Sequence, residues 1–447
     1  RMNMRNFKKF LSLGLAVAMV AGMAACGDPK PVEKNPDGTK EPDSTSTTTI
    51  TLMASQDWIQ DAEMELGEKF TEETGIKVDY QIVPSDQYTS LLMTKLNTGE
   101  CTDIFCGQSG KFDIQTSFNV EKNAMDLSKE SWAKNVDALA AAELSVDGKL
   151  YGQPIQDVSA VWAIAYNKQI FKDLNLSIPT NYSEFKAVCE AIKQAGKIPV
   201  YEAVSDGWHH TLWFPESAVA AGVADGTLVD KMNNNEAKFE GNATLQKILE
   251  QIKDMVDSGY WGEDYMSNEY ANAAKNIASG EYVMTVANQG FGAEVNAADS
   301  NFPADDIGYF VMPLADNQTL NMNPSGPSRF IYSGSKNAEA AKKYLEYMAS
   351  DESLAYMTEK VAKFNKLPYS NAPSAYPAAV QEFYDRYTNS GTVFQTAVKY
   401  VNPQWTEMGN DISAMILGEV TPEEMLKNID KLRAEQATAA SDPAWNK

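Results

Sequence analysis

The stretch from Thr49 to Gly107 constrains the fold more than any other. Ile50, Leu52 and Met53 read as a short strand. Ile59, Ala62, Leu66 and Phe70 recur at helical spacing, and Thr74-Gly75 supplies the stop. Ile76, Val78, Tyr80 and Ile82 then alternate, as in a half-buried strand. Tyr88, Leu91, Leu92 and Leu96 mark a second helix that breaks at Thr98-Gly99, and Asp103 to Cys106 forms a third strand. Strands alternating with helices predict parallel pairing through right-handed crossovers, hence an open α/β sheet. Ligands of such sheets sit in the crevice beyond the carboxyl ends of the strands. Gln56, Asp57 and Trp58, after the first strand, and Gln108, after the third, are therefore candidate binding residues. Asp57 also suits the cap of the helix that follows it.

Further along, Val158 to Asn167 is apolar and rich in β-formers. Tyr182 to Ala195 is helical, with Phe185, Val188, Cys189 and Ile192 on one face, and Ile198 to Ala203 is a strand. Ser205 to Phe214 is the densest aromatic patch of the chain and holds both histidines, His209 and His210. Adjacent histidines point to different sides of an element, so they make a poor metal pair, and neither a metal nor a cofactor is expected. Tyr282 to Ala287 is a strand followed by the loop Asn288-Gln289-Gly290-Phe291. Ile307 to Val311 and Gly326 to Ser333 are strands, the latter carrying Arg329. From Pro377 onward the chain reads as helical, including Trp405 to Leu417 and the helix start Thr421-Pro422-Glu423-Glu424.

At 447 residues the chain is long enough for two or three domains. Its formal net charge is -23. The basic residues of the amino terminus (Arg1, Arg5, Lys8, Lys9) are balanced by no nearby acid, so the remainder is more negative still. Such a surface repels nucleic acid and anionic lipid headgroups, and neither is an expected partner. Four cysteines, Cys26, Cys101, Cys106 and Cys189, are too few for a disulfide-built scaffold; a Cys101–Cys106 pair and two small residues around a buried strand both remain open.

The amino terminus is an address. A basic stretch precedes the apolar run Phe10 to Ala25, and Met23-Ala24-Ala25-Cys26 follows with small residues at a cleavage site. This predicts a secretory signal over residues 1–25, whose apolar run of 16 residues is shorter than the about 20 a membrane span needs. The segment resembles a bacterial lipobox, with Met23 where leucine is usual, which implies a lipid on Cys26. Residues 26–48 contain Pro, Gly, Asp, Lys, Ser and Thr with almost nothing apolar, and read as a disordered tether.

The order of elements is similar to that of the extracellular solute-binding proteins of bacterial ABC importers, in the sugar-binding, maltose-binding-protein-like branch. GEKFTEETGIKVDYQ, LNTGECTDIFCG, DGKLYGQPI with AIAYNKQIF, ASGEYVMTVANQGF, KNAEAAKKYLEYMASDESL and ILGEVTPEEMLKNID carry the resemblance, from about Ile50 to Ala437. Thr102 stands where the family commonly has proline. The resemblance implies a two-lobed periplasmic-binding-protein-like fold with three interlobe crossings. Lobe 1 would span 49–157, completed by 329–373, and lobe 2 would span 158–328, completed by 374–447. It implies a monomer that captures a carbohydrate, an oligosaccharide by preference, through hinge closure. Its partners would be ABC permease subunits and the membrane, held through Cys26 on the extracellular face, and it would have no catalytic role.

A neutral sugar offers flat C–H faces and a rim of hydroxyls, which aromatic faces and planar amides or carboxylates meet respectively. The candidates of both kinds are Gln56, Asp57, Trp58, Gln108, Asp157, Trp162, Trp208, His209, Gln289, Phe291, Arg329 and Trp405. Gln289 and Phe291 match the family's ligand loop, where tryptophan is common at the latter position, and Trp405 lies where the family keeps a stacking aromatic. Two other readings use the same residues: a secreted glycosidase, which needs a pair of carboxylates such as Asp57 and Asp157, and a binding protein for a non-sugar solute.

Overall fold

The computed structural model describes residues 48–56 and 58–446. The expected signal segment, the tether up to residue 47, Cys26 and Asp57 lie outside the described residues.

Thr49–Ser55 is flanked on both sides by parallel strands, Lys77–Val83 and Ile104–Gln108. Its Ile50, Leu52, Met53 and Ala54 are buried, as a strand covered on both faces requires. The helix Asp61–Thr74 crosses one face, burying Ala62, Leu66 and Phe70. Asp61 and Glu63 in its first turn complement the helix dipole. Gly75 ends it at φ 71, a left-handed conformation in which its N–H reaches the Thr71 carbonyl. Lys77–Val83 is an edge strand with a neighbour on one side only, so of its alternating residues Val78 is buried while Ile82 stays 41% exposed.

The sheet is completed from far downstream, in the order 77–83, 49–55, 104–108, 327–331, 152–154. Pro327–Ile331 runs antiparallel to both of its neighbours. The parallel expectation holds for the first three strands and stops there, because this strand re-enters from the other lobe instead of through a helix of its own. The second sheet has the order Ile307–Phe310, Ala163–Asn167, Tyr282–Ala287, Ile198–Tyr201, with one parallel pairing between the last two.

Each sheet has its own apolar core. One gathers residues from Ile50 to Ile155 together with Phe330 to Ala372. The other gathers Val161 to Leu320 together with Val380 to Ile429. The chain therefore passes between the cores in the intervals Ile155–Val161, Leu320–Phe330 and Ala372–Val380. Within the run read as β-rich from Val158, only Ala163–Asn167 is strand; the residues before it form the extended crossing.

The carboxyl-terminal part is less uniformly helical than its composition suggests. Ser390–Thr392 pairs in parallel with Leu320–Met322, a small sheet that ties the second crossing to the second lobe. After it come Trp405–Ile416 and Pro422–Ala439, the latter opened by a reciprocal capping box between Thr421 and Glu424. Cys101, Cys106 and Cys189 are free thiols. No helix among the described residues is long and apolar enough to cross a membrane.

Candidate functional site

A cavity of about 470 Å³ lies where the two cores face each other. The first lobe contributes Gln108, at the carboxyl end of its strand, and Gln156. The second lobe contributes Trp162, Trp208, Glu216, Asn321, Gln395 and Trp405 among others. All the tryptophans of the cleft thus stand on one wall.

A buried ionic pair props up that wall. His209 Nδ1 meets Glu202 Oε1 at 2.5 Å, its Nε2 lies 2.8 Å from the Val286 carbonyl, and Trp213 donates to the other Glu202 oxygen at 2.6 Å. Burial pushes the His209 pKa down, but the adjacent Glu202 charge and these hydrogen bonds outweigh it and leave it raised. Burial pushes Glu202 up, and His209 and Trp213 more than offset that, so the pair is imidazolium with carboxylate. The His209 ring stacks on Tyr270 with centroids 4.7 Å apart. Trp208 and Trp162 pack edge-on against Tyr270 and, at 5.7 Å, against each other.

Glu216 sits beside them on the short helix Trp213–Ser217 and is 2% exposed. Its two oxygens accept from Asn321 Nδ2 and Gln395 Nε2, each at 2.6 Å. Burial pushes its pKa up to about 7 against the lowering effect of both amides. Gln395 Oε1 and Ser325 Oγ are buried beside the cleft and have no hydrogen-bond partner among the described residues.

Asn321 and Ser325 belong to a segment with two faces. From Leu320 to Ser325, Asn321, Asn323 and Ser325 line this cleft, while Leu320, Met322 and Pro324 line a second cavity of about 450 Å³. Side chains of extended chain point alternately to opposite sides, so the segment is a partition with a polar and an apolar face.

Of the residues expected at the site, Gln108, Asp157, Trp162, Trp208 and Trp405 line the cleft. Gln56 is exposed on the turn after the first strand, and its N–H is bonded to the Val83 carbonyl. Trp58 is half-buried, edge-on to Tyr88 at 5.2 Å, with its carbonyl accepting from Gln156 of the cleft. Asp57 lies outside the described residues.

The structure puts the other expected residues to different use. His209 is fully buried in the pair described above. Phe291 is fully buried at the start of the helix Phe291–Ala298, packed near Tyr270, so its ring has no face left for a ligand. Gln289 turns toward the crossing: its Oε1 accepts from the Val161 N–H at 2.8 Å and from the Tyr384 hydroxyl at 3.2 Å. Arg329 points under the sheet, where it pairs with Glu63 at 2.5 Å and donates to Gln153 at 3.0 Å. It is a central-strand residue whose neighbours in register are Cys106 and Gln153, and its charge is spent inside the lobe. Asp157 lines the cleft but is engaged by backbone: it accepts from the N–H groups of Ser159, Asn365 and Lys366.

Gln156, Glu216, Asn321, Asn323, Ser325, Gln395 and Asn402 are lining residues that sequence reasoning missed. Two signals pointed to them: the polar–apolar alternation of Leu320 to Ser325, and Glu216 as a lone acid within the apolar run WFPESAVAAG. Among the described residues no group of His, Cys, Asp and Glu is arranged to hold a metal.

The family pattern of bacterial extracellular solute-binding proteins matches residues 56–355. The chain belongs to that family. The multiple sugar-binding protein of Streptococcus mutans is 21% identical over 352 residues, covering 78% of this chain and 80% of that protein. A binding protein of Bacillus subtilis, solved in an open conformation, superposes with a TM-score of 0.70 at 16% identity, covering 89% of this chain and 99% of its own. The GacH receptor of Streptomyces glaucescens, solved unliganded and with acarbose, gives 0.61 at 20% identity, covering 89% of this chain and 99% of its own. The solute-binding protein described here shares their two-lobed fold, and the cleft lies between its lobes.

Proposed function

We propose that this solute-binding protein captures a carbohydrate, an oligosaccharide by preference, and delivers it to the permease of an ABC importer. The observation that carries the reading is the wall of Trp162, Trp208 and Trp405 beside Glu216, Asn321 and Gln395. It offers stacking faces for sugar rings and planar polar groups for hydroxyls. The names of the relatives, a multiple sugar-binding protein and a receptor solved with acarbose, support the same class.

Capture proceeds by hinge closure. Asp157 fastens the first crossing to the Asn365–Lys366 backbone of the first lobe, while Gln289 and Tyr384 fasten Val161 to the second. Val158 and Ala160, on either side of Ser159, whose carbonyl the Tyr384 hydroxyl also holds, absorb the rotation. Ligand resting on the tryptophan wall meets Gln108 and Gln156 only as the lobes approach, so closure is driven by contacts the open form lacks. The body would be held at the extracellular face of the membrane through a lipid on Cys26. The protein has no reaction to perform in this scheme, and the importer's ATPase is a separate chain.

Thermal-shift screening against neutral mono- and oligosaccharides, followed by calorimetry and product analysis, tests the reading. Reversible binding with intact ligand is expected. A panel in which no carbohydrate raises the melting temperature refutes it, and turnover of a bound oligosaccharide would make the protein a glycosidase.

A further inference from the structure

Resting on the carbohydrate reading, we propose that the cleft is a charge filter: it takes sugars without an anionic group and excludes uronic acids and sugar phosphates, with Glu216 as the discriminating residue. The residues around the cavity include two carboxylates, Asp157 and Glu216, and among those described no lysine, arginine or histidine. Neither carboxylate has a cationic partner. Asp157 is held by backbone N–H groups and Glu216 by the Asn321 and Gln395 amides.

Of the cations on the bordering elements, His209 is paired with Glu202 behind the tryptophan wall, Lys111 beyond Gln108 lies over the Phe112 ring, and three more are engaged away from the cleft. Arg329, on the strand that follows the second crossing, is paired with Glu63 at 2.5 Å beneath the sheet. Lys366 donates to the Ala372 carbonyl and lines the second cavity. Lys399 pairs with Asp442 at 2.9 Å and lies over the Phe112 ring. A carboxylate or phosphate entering the cleft would lose its hydration with no fixed cation to replace it, as recognition of such groups requires. It would also face the Glu216 charge. A like charge about 6 Å away in a partly solvated cleft costs on the order of a hundredfold in affinity.

The partners of Glu216 reinforce the preference. Each amide spends a donor on the carboxylate, and Gln395 Oε1 is an acceptor with no partner among the described residues. This corner of the cleft accepts hydrogen bonds more than it gives them. Hydroxyl groups satisfy such a corner, and so does the ammonium of an amino sugar, whereas a carboxylate has no hydrogen to offer.

Isothermal titration calorimetry at about pH 8, where Glu216 is ionised, tests this on the intact folded chain with stereochemically matched probes. Each neutral oligosaccharide is paired with its uronic counterpart, for example galactotriose with trigalacturonic acid and cellotriose with its glucuronic analogue. Glucose is paired with glucose 1-phosphate. The expected result is that the neutral member of the best-bound pair binds at least about 100-fold tighter than its anionic member, and that Glu216→Gln lowers this ratio at least tenfold. Equal binding within a pair, or binding of anionic members alone, overturns the filter and leaves the carbohydrate reading standing. Binding of no probe of either kind overturns both. An unchanged ratio in Glu216→Gln, with circular dichroism of the variant matching the parent, removes Glu216 from the role.

Discussion

Replacing Arg329 with methionine separates a ligand-binding arginine from a structural one. Arg329 is 3% exposed and gives Nη2 and Nε to one oxygen of Glu63, at 2.5 and 3.0 Å, and Nη1 to Gln153 at 3.0 Å. Glu63 is itself 1% exposed, and once the guanidinium is gone its charge keeps, among the described residues, the Tyr344 hydroxyl at 3.1 Å. Removing one partner of a buried ion pair typically costs about 3 to 5 kcal/mol, because the remaining charge has neither water nor counterion. For a lobe of this size that is roughly 6 to 20 °C in melting temperature. The double variant Glu63→Leu, Arg329→Met should recover most of the loss, since an apolar pair of similar volume replaces the buried charges. Urea denaturation gives the stability, and calorimetry on the folded variant gives the ligand affinity. An Arg329→Met variant that keeps parental stability but loses affinity would refute the placement of Arg329 inside the lobe and return it to the cleft.

Trp405→Ala should weaken carbohydrate binding by roughly 1 to 3 kcal/mol, the loss of a central aromatic anchor; calorimetry showing unchanged affinity would make Trp405 a packing residue only. Glu216, with its pKa raised from 4.5 to about 7 by burial, holds a proton in the folded state that the unfolded chain releases earlier. Its contribution to stability is therefore complete below the unfolded value and is lost as the pH rises through about 7, on the order of 3 kcal/mol in all. Urea midpoints across this range should fall more steeply with rising pH in the parent than in Glu216→Gln, and parallel profiles would contradict it. Thr421→Ala removes the capping box of Pro422–Ala439 and should cost about 1 kcal/mol, read as a lower urea midpoint with unaltered ligand affinity.

Local pattern carried the sequence reading a long way wherever partners lie close along the chain. The helix Asp61–Thr74 and its glycine stop follow from spacing and a single residue type. Tyr282–Ala287 ends where its apolar run ends. The residues that line the cleft and were anticipated are mostly tryptophans, whose size and polar surroundings mark them wherever the chain turns. What local pattern could not reveal was the direction in which polar side chains would turn. An arginine on a returning strand suits a ligand as well as it suits a buried acid, and the acid, Glu63, lies 266 residues earlier. Gln289 looked like part of a binding loop, but its orientation depends on Tyr384, 95 residues later. The amide of Gln395 became visible only once Glu216, 179 residues earlier, was placed beside it. Ser390–Thr392 is strand because Leu320–Met322 offers it an edge, and nothing in its own composition demands that.

The two-faced segment Leu320 to Ser325 has a consequence for how this chain can tolerate change in length. Its side chains alternate between the polar cleft and the apolar cavity behind it. Insertion or deletion of a single residue there would exchange the two sets, turning leucine, methionine and proline toward the polar cleft and amides into the apolar space. Substitutions within the stretch alter one compartment at a time, whereas a shift in register corrupts both at once. Among lineages of this protein, the six positions should therefore vary in identity while their number stays fixed, even though they occupy a connecting segment of the kind that elsewhere accepts insertions freely.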